Sequence, residues 1–287
     1  MKPVAIRSFF QLIRFKVSLA VTFSAFAAEV IRSGHIYIYL LFPALGIFLL
    51  ASGASALNQF QERIFDGRMD RTKNRPLPSA KMKPAMALGL SILLLSLGFL
   101  SFTMEGLWIC LLLGAFNILW YNGFYTWLKT KTAFAVVPGA FTGAIPVLMG
   151  WSAAGGSIFD SISLFLAFFI FLWQIPHFWL LMLKYGDEYH NAGLPVLSEI
   201  FSVAQMKRII MFWLLAASAA SLLLLSACDR QLSFINLTVI VLNIALLLLV
   251  IFQFFLSGSI RYRILFASVN FFMLIVLLLL TIERTIN

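Results

Sequence analysis

Charge is scarce in this sequence. Asp, Glu, Lys and Arg make up only 11% of its 287 residues, where a soluble domain carries about 25%. Hydrophobic side chains account for 62%, and no water-soluble chain of that length has enough interior to hide them. The soluble and disordered classes are excluded. Cysteine is scarcer still: Cys110 and Cys228 stand far apart, in or beside apolar segments. A disulfide-stapled fold is therefore excluded, and both read as small buried hydrophobes. No small-residue cleavage site follows the basic start Lys2, Arg7, Arg14 and Lys16, so no cleavable signal is expected, and the start is too short for an organelle transit peptide. A bacterial inner membrane is the expected address. Low-complexity tracts, an obvious repeat and a soluble domain are also missing, so residues 1–287 are expected to form a single intramembrane domain in the lipid bilayer, with no nucleic-acid partner.

What is there is a series of long apolar runs. Nine stretches bounded by charge are each near the ~20 residues a spanning helix needs: about 17–34, 36–57, 85–104, 107–126, 133–151, 160–183, 209–227, 232–256 and 264–282. The expected fold class is all-α, a polytopic membrane protein with nine transmembrane helices. The net charge of +10 is first a topology signal. With nine alternating spans, 18 of the 21 Lys and Arg fall on one side, and only Arg32, Arg230 and Arg284 on the other. That places the N-terminus in the cytoplasm. The two long connections, about 58–84 and 184–208, fall on the same side, and loops carry function on a rigid scaffold.

The second span runs into Asn58, Glu62, Asp66 and Asp70, spaced every four residues. On a helix such positions share one face, where like charges repel by ~0.2–0.5 kcal/mol per pair. Carboxylates crowded in this way suit a hard cation such as Mg²⁺, which uses one or two protein carboxylates plus substrate phosphates. Asp70 is the weakest rung, because Gly67 can end the helix before it. Arg71, Lys73 and Arg75 follow at once, and such groups bind phosphate. A diphosphate site and a solvated loop of mixed charge both fit this run. Asp187 and Glu188, on the other long loop, can complete a Mg²⁺ shell from the opposite side. Lys129 and Lys131, on a short turn, either touch the diphosphate or only enforce orientation. His177 follows Pro176 inside an apolar span, where an ionisable residue is rare and usually lines a cavity; a satisfied core histidine is the other reading. The many aromatic side chains, 30 of them Phe, suit lipid contact, packing or a tunnel for a prenyl chain.

The run Asn58-x3-Glu62-x3-Asp66, followed by Met69-x-Arg71-Thr72-Lys73-Asn74-Arg75-Pro76-Leu77, resembles the first aspartate-rich motif of intramembrane prenyltransferases of the UbiA type. Three further matches follow in order: Tyr125-Thr126-x-Leu128-Lys129, then Gly143-Ala144-Ile145-Pro146-x3-Gly150-Trp151, then Trp173-x2-Pro176-His177-Phe178 continuing to Asp187-Glu188-Tyr189-x2-Ala192-Gly193-x-Pro195. The last of these is similar to the protohaem IX farnesyltransferase (haem O synthase) branch. The matches cover residues 58–195. Many members of that family carry Asp where this chain has Glu62 and Glu188, and Asp70 lies outside the shared motif. The segment Arg14-Phe15-Lys16 lacks the Lys-Pro-Arg often found there.

The resemblance implies transfer of a farnesyl group from farnesyl diphosphate to the 2-vinyl group of haem b, giving haem O. It implies Mg²⁺ held by Asn58, Glu62, Asp66, Asp187 and Glu188, and diphosphate oxygens neutralised by Arg71, Lys73, Arg75, Lys129 and Lys131. Tyr125, Trp173 and Tyr189 become candidates for steadying an allylic cation, and His177 for contacting haem. Membrane proteins that handle haem downstream are possible partners. A related prenyltransferase acting on a quinone precursor or chlorin is the nearest alternative. A secondary transporter is the alternative of another class, and it would favour acids near the midplane over acids at the rim.

Overall fold

Helices build the computed structural model, which describes residues 3–228, 234–257 and 259–286. Lys2, and Arg230 in the connection 229–233, lie outside the described residues, as does the side chain of Cys228. Eight helical stretches are long and apolar enough to cross a membrane. A ninth forms if the bent pair at the start is taken as one span. No strand occurs among the described residues.

The pair is α1 (Pro3–Leu12) and α2 (Phe15–Ser33), meeting at an angle of 51°. Then come α3 (Leu41–Gly67), α4 (Pro84–Met104), α5 (Trp108–Ile118) and the short turns α6 (Thr126–Leu128) and α7 (Val136–Gly139). The bundle continues with α8 (Phe141–Ala153), α9 (Ser161–Asn191), α10 (Val203–Cys228), α11 (Phe234–Ile251) and α12 (Tyr262–Ile286). Their stops follow from local chemistry. Gly34 caps α2 in the left-handed region at φ 75°, and Pro84 opens α4 where a missing N–H costs nothing.

Helices outrun the apolar stretches that announce them, α10 by starting at Val203 ahead of 209. α3 continues ten residues past 57, and α9 continues from 183 to Asn191, with a non-helical Tyr185 on the way. A polar sequence with good helix propensity extends a helix once the span has nucleated it. Between α5 and α6 the backbone widens into a π-helix over Leu119–Tyr125, a form frequent at functional sites.

Packing sets the cavity. α3 lies along α4, α9 along α10, and α2 along α8. The α2–α8 crossing is very close: a Cβ on Gly150 would run into the carbonyl of Ala25. Small residues let helix backbones approach in this way inside a membrane. The largest core cluster joins α2, α8, α9, α10 and α12 through buried residues such as Ile31, Val147, Phe169, Ile210 and Val276. A second, around Ile47, Leu50, Phe102 and Met149, seals the far half of α3 against α4, α5 and α8.

Candidate active site

The α3 stripe supplies the first layer. Asn58 and Asp66 are both 1% exposed, and Glu62 lies between them on the same face. Each has a partner in the chain. Arg75 donates twice to Asp66, to Oδ1 and Oδ2, at 2.7 Å each. Lys129 pairs with Glu62, and Arg14 donates to Asn58 Oδ1 at 3.1 Å. The Asn58 amide donates to Glu62 and, at 3.1 Å, to Thr126 Oγ1. Three cations therefore converge on three oxygen-bearing side chains, where the sequence alone gives only a stripe.

Arg14 is the residue that sequence reasoning misses. It occupies the break between α1 and α2 with φ 46° and ψ 51°, a left-handed conformation that costs a non-glycine residue about 1–2 kcal/mol. The break is held in place. Buried Gln59 on α3 donates to the carbonyls of Gln11 at 2.7 Å and Leu12 at 2.8 Å, and Ser18 Oγ donates to Ile13 O at 2.8 Å. The guanidinium is thereby delivered to Asn58, while its buried Nε has no partner among the described residues. Hydropathy and periodicity carry no signal for a left-handed corner. An arginine leading into an apolar run reads as topology.

The other expected ligands divide. Asp70 lies beyond the helix end, which Gly67 and the cap at Arg68 set. Its side chain is 79% exposed and paired with Lys73 at 2.6 Å, and that contact draws the carboxyl below the usual range. Lys73 and Lys131 face solvent, as does Asp187. Glu188 accepts from the Arg71 backbone N–H at 2.9 Å, and the Arg71 guanidinium donates to Tyr189 Oη at 2.8 Å. Arg71 also sits 5.5 Å from the Tyr185 ring. Burial, together with Arg14, pushes the Lys129 ammonium's pKa well below its usual value.

From this mouth a cavity of about 680 Å³ runs into the bundle. Tyr125, Trp173, His177 and Tyr189 all line it. Trp173 is anchored by its indole N–H to Val269 O at 2.7 Å, so its ring is fixed. Tyr125 stacks on Tyr121 with centroids 5.7 Å apart. His177 packs between Trp173, at 5.0 Å, and Phe266, at 4.7 Å, and its Nδ1 has no partner among the described residues. Gln174 Oε1 and Asn117 Oδ1 are buried and unpartnered in the same way, in side chains that line the same cavity. Both are polar residues inside apolar spans, a signal that the sequence already carried.

The donor set suits Mg²⁺ better than a metal that needs a full protein cage. Among the described residues no three His, Cys, Asp or Glu side chains gather at metal-binding distance. Two carboxylates and an amide oxygen on one face, beside cations for an anionic ligand, are what Mg²⁺ uses when phosphates fill the rest of its shell.

The chain matches the UbiA prenyltransferase family over residues 18–282. It is 42% identical over 182 residues to the protohaem IX farnesyltransferase of Geobacter sulfurreducens, covering 63% of this chain and 67% of that one. It is 45% identical over 157 residues to that of Bdellovibrio bacteriovorus, covering 53% and 52%. Against that of Nitratidesulfovibrio vulgaris the identity is 34% over 212 residues, covering 74% of each. The fold is shared with a digeranylgeranylglyceryl phosphate synthase, at a TM-score of 0.74, 17% identity and coverage of 98% and 99%. It is also shared with a UbiA homologue from Archaeoglobus fulgidus bound to GPP and Mg²⁺, at a TM-score of 0.67, 12% identity and coverage of 98% and 100%.

Proposed function

Because the chain belongs to the UbiA prenyltransferase family and is a prenyltransferase, we propose that it transfers a farnesyl group from farnesyl diphosphate to the 2-vinyl group of haem b, making haem O. The observation that carries the reading is the cavity mouth, where Arg14, Arg75 and Lys129 face Asn58, Asp66 and Glu62 above an apolar interior. That pairing of cations with oxygen donors fits a metal-bound diphosphate whose carbon chain points inward. The relatives named protohaem IX farnesyltransferase favour haem over a quinone precursor or chlorin. Membership of an enzyme family removes the transporter alternative.

In this reading Asn58, Glu62 and Asp66 hold Mg²⁺, with Glu188 reaching across the mouth. Bound there, Mg²⁺ supplies the positive charge that makes diphosphate a better leaving group. Arg14, Arg71, Arg75 and Lys129 bind the diphosphate oxygens and take up the charge that grows as the C1–O bond breaks. The faces of Tyr125, Trp173 and Tyr189 steady the allylic cation. The vinyl carbon attacks it, and water adds to the resulting haem-side cation, losing a proton to solvent. His177 Nδ1 is the free ring nitrogen available to the haem. The 18-to-3 split of basic residues supports an orientation with this mouth facing the cytoplasm, and the bacterial relatives support a bacterial inner membrane. Haem-handling membrane proteins are the partners such a product needs.

The test is direct. Membranes holding the protein are incubated with farnesyl diphosphate and haem b, with and without a chelator. A haem O mass that disappears with chelation is expected. Prenylated 4-hydroxybenzoate with no haem product would sink the haem reading.

A further inference from the structure

The cavity wall changes character with depth. Along α3 the lining residues inward from the mouth are Asn58, Ser55, Ala54, Ala51, Leu50 and Ile47. Small side chains flank the upper part, and large ones close the end. Gly114 of α5 and Met149 of α8 meet Leu50 at this end. A Cβ on Gly114 would fall 2.7 Å from Leu50 Cδ1 and 3.4 Å from Met149 Cε. The floor is solid: Ile47 and Met149 are 2% exposed, Leu50 is 5%, and Phe102 and Cys110 pack with them in one core cluster. Cys110 Sγ donates to the Met149 carbonyl at 3.3 Å, tying α5 to α8 there.

The depth has a length. At about 1.5 Å rise per residue, Asn58 to Leu50 spans roughly 12 Å and Asn58 to Ile47 roughly 16 Å. An extended three-isoprene chain measures about 14 Å, taking about 1.3 Å of advance per carbon–carbon bond. A two-isoprene chain leaves the end unfilled, and a fourth unit, about 5 Å longer by the same measure, meets a wall. The α9–α12 side carries Gln174, His177 and Asn270, three polar groups that an all-carbon chain does not match, whereas Asn117, one turn from Gly114, is the polar side chain on the α5 side.

We infer that Leu50, Gly114 and Met149 form a floor that sets the prenyl chain length, selecting three isoprene units. The inference rests on the prenyl-transfer reading of the mouth and deepens it. These three residues act by contact with the distal end of the donor, away from the breaking bond. Met149→Ala lengthens the channel. Gly114→Ala shortens it by driving the Leu50 side chain toward the open space.

The experiment measures binding of geranyl, farnesyl and geranylgeranyl diphosphate to purified protein in detergent by competition, and transfer to haem b in the same preparations. Wild type is expected to prefer farnesyl diphosphate. Met149→Ala is expected to shift the geranylgeranyl-to-farnesyl ratio upward at least tenfold, and Gly114→Ala to shift the geranyl-to-farnesyl ratio upward by a similar factor. Leu50→Val serves if Met149→Ala does not fold, with the same direction expected. Ratios within twofold of wild type in both directions would overturn the floor. Shifted binding without any transfer to haem b would remove the haem acceptor and leave the floor standing. Transfer with unshifted ratios removes the floor alone.

Discussion

The segments 68–83 and 184–199 both border the mouth, and they are built differently. The first is closed upon itself. Thr72 is 1% exposed and its hydroxyl donates to the Asp66 carbonyl at 2.8 Å. Ser79 Oγ donates to Arg75 O at 2.6 Å, and Met69, Leu77 and Met82 are buried beneath the turn. Arg75 is thus carried back onto Asp66 by its own loop. The second is anchored by apolar residues, Ala192, Leu194, Val196 and Leu197, while Lys184, Asp187 and His190 stay exposed. It reaches the first through Arg71, which meets Glu188, Tyr189 and Tyr185, and through a 3.4 Å contact from Arg68 to the Ala192 carbonyl. One segment is preorganised. The other docks on it by contacts near water, each worth little alone.

The difference ranks the mutations. Asp66→Asn keeps the shape of the side chain and removes its charge, leaving Arg75 facing an amide at a 1%-exposed position. Breaking a buried pair from one side costs about 3–5 kcal/mol, and losing a ligand for the leaving group's charge costs about 10²–10³ in rate. We expect a loss of at least 10²-fold in kcat with the protein still recoverable in membranes. Activity within tenfold of wild type would mean that the preorganised segment is structural only. Prenyl transfer and thermal unfolding, measured on the same preparation, separate the two effects.

How much of this was legible in the sequence follows the same divide. Hydropathy located the spans, because burial in lipid selects about twenty apolar residues in a row. The four-residue spacing put Asn58, Glu62 and Asp66 on one face, because a helix continues past the apolar run. Gly67 warned that Asp70 would fall off that face, and it does. What the sequence did not carry was contact between distant segments. Gln59 holding the 11–12 carbonyls, and so delivering Arg14 to Asn58, spans more than forty residues. The segment Arg14-Phe15-Lys16 departs from Lys-Pro-Arg, yet Arg14 lies at the mouth. Gln174 and Asn117 were visible as polar residues in apolar helices, but only packing shows that they line one cavity with His177.

The docked segment should respond more mildly. Glu188→Gln retains an acceptor for the Arg71 backbone N–H but removes the charge, and a hydrogen bond to a charged group is worth about 1.5–3 kcal/mol. Because this contact is exposed, the loss should sit at or below the lower limit, about a tenfold rise in KM for the prenyl diphosphate or for Mg²⁺, with kcat changed less. A loss equal to that of Asp66→Asn would erase the distinction between the segments and make both part of one rigid shell. Titrating Mg²⁺ at saturating farnesyl diphosphate reads the difference.

Asp70→Asn should do least, and its smallness is informative. In sequence Asp70 continues the spacing of Asn58, Glu62 and Asp66, so a ligand role predicts a defect close to that of its neighbour on the ladder. In the structure it lies past the helix end, 79% exposed, with Lys73 as its partner. An exposed pair of this kind has little net effect, because water replaces each partner. Lys73, freed of the carboxylate, also stays solvated. We therefore expect kcat and KM within twofold of wild type and an unchanged Mg²⁺ dependence. A tenfold or larger rise in the Mg²⁺ requirement would show that the chain past Gly67 winds back to the mouth once a metal diphosphate binds. The first segment would then be no more preorganised than the second, and the contrast between them would not survive binding of a metal diphosphate.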